Sequence, residues 1–184
     1  MSTAAPLCSS GAGAGAGTHA AGVMQAAAAD SQERRRSLWA VLLRHRFDPA
    51  VLRDFKLGDM LIANEVGHII LREGVTGRVL TPLAELLELG PTQLAPLIGV
   101  DRTTARRYAH GDQNLPRHSA EAVLRLADLE AGAVDVFETE HAAHAWLKKH
   151  HPMLGESPIE AASSFYGAQR VREILSAIKY AGVV

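Results

Sequence analysis

The residues best suited to chemistry are His141, His144, His150 and His151, close in sequence to Glu138 and Glu140. Imidazole and carboxylate groups hold divalent metals, and His141 and His144 can share one face of a helix. Their spacing matches no metal-binding motif, and the reading they support is histidines solvated on a helix. Residues 74–81 lack the Gly-Lys-Ser/Thr of a phosphate loop, and no serine stands in a nucleophile elbow. The single cysteine, Cys8, lies in an Ala/Gly-rich stretch, which argues against a thiol nucleophile or a cysteine metal site and suits a reducing cytoplasm. The expectation is therefore a chain that is not an enzyme, with no catalytic residue, metal or cofactor.

A different chemistry, recognition of a nucleic acid, is legible in residues 91–111. Small Ala95 stands where two helices must cross closely, and Gly99 where a turn needs positive φ, while Leu94, Val100, Ala105 and Tyr108 supply a buried side. With Asp101 as the cap of the second helix, Arg102, Thr103, Arg106 and Arg107 face away from Ala105 and Tyr108. Together with Thr104 these are the candidate DNA contacts. Arginine pairs bidentately with guanine or holds phosphate, and threonine bonds phosphate or touches a thymine methyl. The spacing resembles the helix-turn-helix of Xre and Cro-like repressors. Against it stand Pro96, which deletes a backbone hydrogen bond inside the first helix, and Asp101, which repels phosphate unless it caps. The formal net charge of −1 excludes a protein that coats nucleic acid through bulk charge, so any DNA contact is local.

These residues need a scaffold, and the composition points to an all-α one. Of the 184 residues 47% are hydrophobic, enough to fill a core, but only 5% are aromatic, and Ala, Leu, Arg and Glu recur at helical spacings. Residues 1–30 read as a flexible Ala/Gly-rich tail without the basic start of a signal peptide, and no apolar run is long enough to span a membrane. Asp30 and Ser31 are capping types before a basic amphipathic helix over 33–46, stopped at Asp48-Pro49. Residues 51–71 fit one or two helices, with Gly58 or Gly67 as interruptions. Thr81 as N-cap and Pro82 as first helical residue open a helix that ends at Gly90. A longer helix starts at Leu115-Pro116 or Ser119 and runs to Phe137. Thr139 caps the next, which His151-Pro152 stops. Ser157, Pro158 and Glu160 form a capping box worth roughly 1–2 kcal/mol, opening a helix that ends at Gly167. A last helix begins at Ala168, with Trp146, Leu154, Ile174, Leu175 and Ile178 expected in the core and Arg170 and Arg172 on a solvated or partner-facing side. The expected divisions are a tail at 1–30, a helical region at 31–80 with no assigned role, a helix-turn-helix domain at 81–134 and a C-terminal domain at 135–184.

The C-terminal part carries a further resemblance. Residues 145–159, Ala-Trp-Leu-Lys-Lys-His-His-Pro-Met-Leu-Gly-Glu-Ser-Pro-Ile, are followed by Gly167, Val171, Leu175, Ile178 and Tyr180-Ala181-Gly182. This order of a Trp-Leu helix, a Pro-x-Leu-Gly loop, a Ser-Pro capped helix and a terminal helix resembles the toxin-binding domain of Xre-MbcA-ParS antitoxins. Ala181 departs from the shorter aromatic-Gly ending frequent in that family. The resemblance covers a little over half the chain and implies a type II antitoxin whose partner is a RES-domain toxin that degrades NAD or transfers ADP-ribose from it. It also implies that the last helix and C-terminus cover the toxin's NAD cleft, while the helix-turn-helix represses the operon. Arg170, Lys179, Tyr180, Ala181, Gly182, Val183 and Val184 are the toxin-binding candidates, with Val183 and Val184 entering the cleft and Lys179 and Tyr180 at its rim. The expected assembly is a homodimer or a larger hetero-oligomer with the toxin, without a membrane. The alternative is a stand-alone transcriptional regulator whose C-terminal helices dimerise.

Overall fold

A computed structural model describes residues 29–30, 32–43 and 64–181. Over these residues the chain is all-α: regular elements are helical, beside isolated bridges at Thr76–Asn114 and His151–Glu156. Helix α1 takes residues 32–42. There follow α2 (Asn64–Glu73), a 3₁₀ turn (Gly77–Val79), α3 (Leu80–Leu86), α4 (Pro91–Leu97), α5 (Arg102–His110), α6 (Arg117–Phe137), α7 (Glu140–Lys148), α8 (Pro158–Ala161) and α9 (Phe165–Ala181). Residues 1–28 of the tail expected over 1–30, the stop at Asp48-Pro49, Gly58 and the stretch 51–63 lie outside the described residues. None of the described helices is long and apolar enough to cross a membrane.

The long helix α6 is the spine. Its Ala120, Val123, Leu124, Leu126, Ala127 and Leu129 are buried, at spacings that turn an apolar stripe toward the neighbouring helices. Helices α7, α9, α2 and α3 all pack on it. Arg172 of α9 donates to Asp128 of α6, and Lys179 of α9 donates to Asp135. The same seven-residue step separates the partners on each helix, so α9 runs beside α6 in the same direction. Arg172, expected on a solvated or partner-facing side, is thus a tie between helices. Arg125 fixes the corner between α8 and α9 by donating to the carbonyls of Ala162 and Ser163, at 2.8 and 2.9 Å. The divide expected between residues 134 and 135 falls inside α6.

Several helix ends differ from the sequence expectation, each for a local reason. Residues 29–30 are already helical, so Asp30 is no cap; its carboxylate lies 3.4 Å from Arg34, one turn on. Gly67 sits inside α2 without interrupting it. Thr81 lies inside α3, because the 3₁₀ turn capped by Thr76 runs straight into that helix, and Pro82 needs no N–H in a first turn. Glu88, not Gly90, takes the left-handed position after α3, with φ +50°. Gly90 is instead the extended residue before α4, its N–H donating to Gln93 at 2.9 Å. Ser119 is not a cap but a buried residue of α6 whose hydroxyl donates to the Ile98 carbonyl at 2.8 Å.

The capping box forms as expected, with Ser157 N–H and hydroxyl both donating to Glu160. The helix it opens closes early, at Ala161, and Ser164 starts α9 by accepting from the Gly167 N–H at 3.0 Å. Gly167 therefore lies in the first turn of α9 rather than ending α8. A Cβ there would stand 1.9 Å from the Ala161 carbonyl oxygen, so only glycine permits this close crossing.

A buried ionic network locks these pieces together. Glu130 of α6 has only 1% of its side chain exposed and accepts from Arg35 of α1 at 2.7 and 3.2 Å. The same guanidinium lies 3.0 Å from Glu140 of α7. His144, expected to be solvated, is buried: one ring nitrogen faces Glu130 and the other Glu88, each at 3.5 Å. A neutral ring offers one N–H, whereas the doubly protonated ring offers one to each carboxylate. Lys148 completes the chain, donating to both the carbonyl and the carboxylate of Glu88. Beside Arg35, Leu38 is fully buried and Trp39 nearly so, which turns α1 inward despite its arginines. Burying a leucine contributes about 2 kcal/mol.

Burial pushes the Glu130 carboxyl up, but His144 and Arg35 outweigh it and hold the group below the ordinary carboxylate value. Glu140 is raised, chiefly by burial, against the pull of Arg35. Removing one partner of such a pair leaves an uncompensated buried charge, so Arg35→Ala should destabilise the chain by about 3–5 kcal/mol in urea unfolding. A depressed carboxyl contributes stability above its unfolded value and loses that contribution as pH falls through its folded value. The stability gap between the parent chain and Glu130→Gln should therefore be greatest at neutral pH and narrow below the ordinary carboxylate range. Equal gaps at pH 7 and pH 3 would contradict this assignment.

Candidate functional site

The segment 91–111 folds as two short helices joined by a turn at Gly99, whose φ of +72° is a left-handed conformation that L side chains resist. Leu94 and Ala95 of α4 and Ala105 of α5 are buried, with Val100 and Tyr108 packed beside them. Asp101 accepts from the Thr103 and Thr104 N–H groups at 2.9 and 3.0 Å. Those bonds, those of Thr104 above all, hold its carboxyl below the ordinary value. The anion is thus used on the helix's own amides, as an N-cap is. Pro96 remains within α4 with its ring exposed.

This leaves Arg102, Thr103, Arg106 and Arg107 exposed on α5, while Thr104 is half-buried. Positions 102, 103, 106 and 107 stand three or four apart and share a helix face. The Arg107 guanidinium, expected to face away from Tyr108, lies 5.6 Å from that half-buried ring's centroid, a cation–π contact at the edge of this face. Four of the five candidate DNA contacts therefore form one cationic, hydroxyl-bearing strip. The 3₁₀ turn packs against its far end: Arg78 bonds Asp112 at 2.7 Å, just past α5.

The second surface is at the end of α9. Lys179, Tyr180 and Ala181 are exposed, Tyr180 at 69%. The helix continues to Ala181, so Tyr180 and Ala181 belong to its last turn. Gly182, Val183 and Val184 lie outside the described residues. Arg170 is exposed and paired with Glu173 one turn on, at 2.8 Å. Trp146 and Leu154 are half-buried against the core, and Ile174 and Leu175 are buried, but Ile178, expected in the core, is exposed. The spine ends at Phe137, two residues past the Asp135 that pairs with Lys179, so Ile178 stands where its support stops.

Sequence reasoning also missed Phe165 and Tyr166, which stack edge to face with centroids 5.5 Å apart, Tyr166 being 84% exposed. Ser163-Ser164 just before them was the available signal, since a serine cap there starts a helix at Phe165. Of these histidines, His141 and His150 are exposed, His151 sits against Trp146, and His144 is buried. Among the described residues no group of three His, Cys, Asp or Glu side chains is placed to hold a metal.

Two family models match this arrangement. The antitoxin Xre-like helix-turn-helix domain matches residues 68–128, and the antitoxin Xre/MbcA/ParS C-terminal toxin-binding domain matches residues 132–181. The two segments take in more than half of the chain. The chain belongs to the Xre/MbcA/ParS antitoxin family. Comparison with curated proteins gives no match. In this antitoxin the first matched segment holds α4, α5 and most of α6, and the second holds α7, α8 and α9. Helix α1 lies outside both, and its partner Glu130 lies between them.

The cap predicts a measurable effect at α5. In Asp101→Ala the Thr103 and Thr104 amides lose their acceptor, so their hydrogen exchange should accelerate while that of Val123 in α6 stays unchanged. Equal protection in parent and variant would show that Asp101 does not start this helix.

Proposed function

We propose that this antitoxin neutralises a RES-domain toxin that consumes NAD, by laying the end of α9 and residues 182–184 over the toxin's nucleotide cleft. The observation that carries the reading is the exposed run Ile178, Lys179, Tyr180 and Ala181, inside the segment matched by the toxin-binding domain. An aromatic and an aliphatic side chain left in water at a helix end are suited to burial against a partner. Lys179, bonded to Asp135, steadies the direction in which that end projects. Arg170 flanks the same helix as a rim contact. The antitoxin works in the cytoplasm, as a homodimer or in a larger hetero-oligomer with its toxin, with 135–184 as the toxin-binding part.

We further propose that residues 81–134 bind operator DNA and repress the antitoxin's own operon. The strip formed by Arg102, Thr103, Arg106 and Arg107 enters the major groove, and Thr104 supports it from the half-buried side. Because the chain as a whole is not basic, affinity rests on this strip and falls steeply with salt.

Co-expression of the neighbouring reading frame with and without this chain, following growth and cellular NAD, tests the first reading. The neighbour alone should arrest growth and deplete NAD, and this chain should restore both. A harmless neighbour would remove the basis of the reading. Deleting residues 180–184 should weaken rescue while leaving helix content unchanged, and full rescue would reject the plugging mechanism. For DNA, replacing Arg102, Arg106 and Arg107 with Ala should abolish a salt-sensitive shift of promoter DNA. Absence of a shift by the parent chain would end the repressor reading.

A further inference from the structure

Three parts of the chain meet around one buried histidine. His144 of α7 faces Glu130 of α6, which Arg35 of α1 holds, and on its other side faces Glu88, at the corner between α3 and α4. Glu88 is where the C-terminal helices grip that corner through charge: Lys148 of α7 bonds its carbonyl and its carboxylate, both at 3.2 Å. The corner itself is strained, because φ +50° is a conformation that a residue with a Cβ adopts only when its surroundings hold it there.

Leu86 and Leu87 beside this grip are buried in a core shared with Ala143 and Leu147, but toward the surface the two parts stay apart. A cleft of about 420 Å³ separates Gln93, Pro96 and Leu97 of α4 from Ser157, Glu160 and Ser163. Lys148 stands at its wall. At the N-terminal end of α6, the buried Ser119–Ile98 hydrogen bond joins the helix-turn-helix to the spine. The layout is that of a pivot, an open seam and a latch.

We propose that Glu88, Lys148 and His144 form an ionic clasp across a hinge, and that opening it lets the helix-turn-helix change its angle to the C-terminal helices. The pivot is Ser119–Ile98, and the motion widens or narrows the cleft beside α4. The network passes through Glu130 to Arg35, so the docking of α1, which lies outside both family segments, bears on the same clasp. Its use, setting the angle between a DNA-facing α5 and a toxin-facing α9, rests on the function proposed above. The hinge itself does not, and it is measurable without DNA or toxin.

The test is a distance measurement by pulsed electron double resonance on the full chain. Spin labels go on Gln113→Cys, past α5, and Ser176→Cys, on the exposed side of α9, with Cys8→Ser removing the native thiol. The parent should give one narrow distance. Lys148→Met removes the cation of the clasp. Glu88→Gly removes its carboxylate while easing the left-handed backbone, so its effect reports the clasp and not strain. Both should add a second population at a shifted distance, with helix content intact. Arg117→Met, which deletes only the surface pair with Glu121, should keep the parent distance. A single parent-like distance in both clasp variants, or an equal second population in Arg117→Met, would overturn the proposal. A lack of DNA shift or of toxin rescue would instead count against the function proposed above and leave these distances as they are.

Discussion

An ionised carboxylate buried as deeply as Glu130 persists only with cations and donors around it, since desolvation alone drives it to the neutral form. Its partners come from distant points of the chain: Arg35 lies 95 residues away in sequence, on a helix that neither family model includes. Through Arg35 and His144 the same carboxylate joins α1, α6 and α7, and through His144 it reaches the corner at Glu88. The apolar core would let these helices slide or rotate at modest cost, because hydrophobic burial is not directional. A guanidinium bonded twice to one carboxylate and set against a second has a single geometry, and it fixes the register of α1 on the spine.

The division of labour between modules follows from that arrangement. The helix-turn-helix is a small cluster built from turns with particular requirements, Gly99 at positive φ and Asp101 as cap, and it presents its cations outward. The C-terminal part is built along α6 by ion pairs at seven-residue steps, which let α9 project its last turn. Both hang on one continuous helix.

Much of this was legible in the sequence wherever a single residue type has one physical use. Gly99, Asp101, Thr139 and the Ser157–Glu160 pair all act as their types predict. Local signals failed where two of them competed: Thr81-Pro82 is a sound helix start in isolation, but the preceding 3₁₀ turn supplied the start earlier. Gly90 yielded the left-handed position to Glu88 because the helix ends earlier, at Leu86, with the Leu89 N–H closing back on the Ala84 carbonyl. The network was not legible, because an arginine on a basic helix and a histidine among exposed neighbours look solvated until their partners are known. Period alone also placed Ile178 inside, since helical spacing cannot tell where a helix leaves its support.

Arg35, Glu130 and His144 make α1, α6 and α7 one cooperative unit. The chain has two tryptophans, Trp39 in α1 and Trp146 in α7, one on each side of the network. Urea unfolding of the single-tryptophan variants Trp146→Phe and Trp39→Phe, followed by fluorescence and by far-ultraviolet circular dichroism on each, reads the two sides separately. Within each variant the tryptophan signal and the helix signal should change together, with one midpoint. A Trp39 signal lost at lower urea than the helix signal of the same variant would show that α1 is not held by the network and would contradict a single cooperative unit.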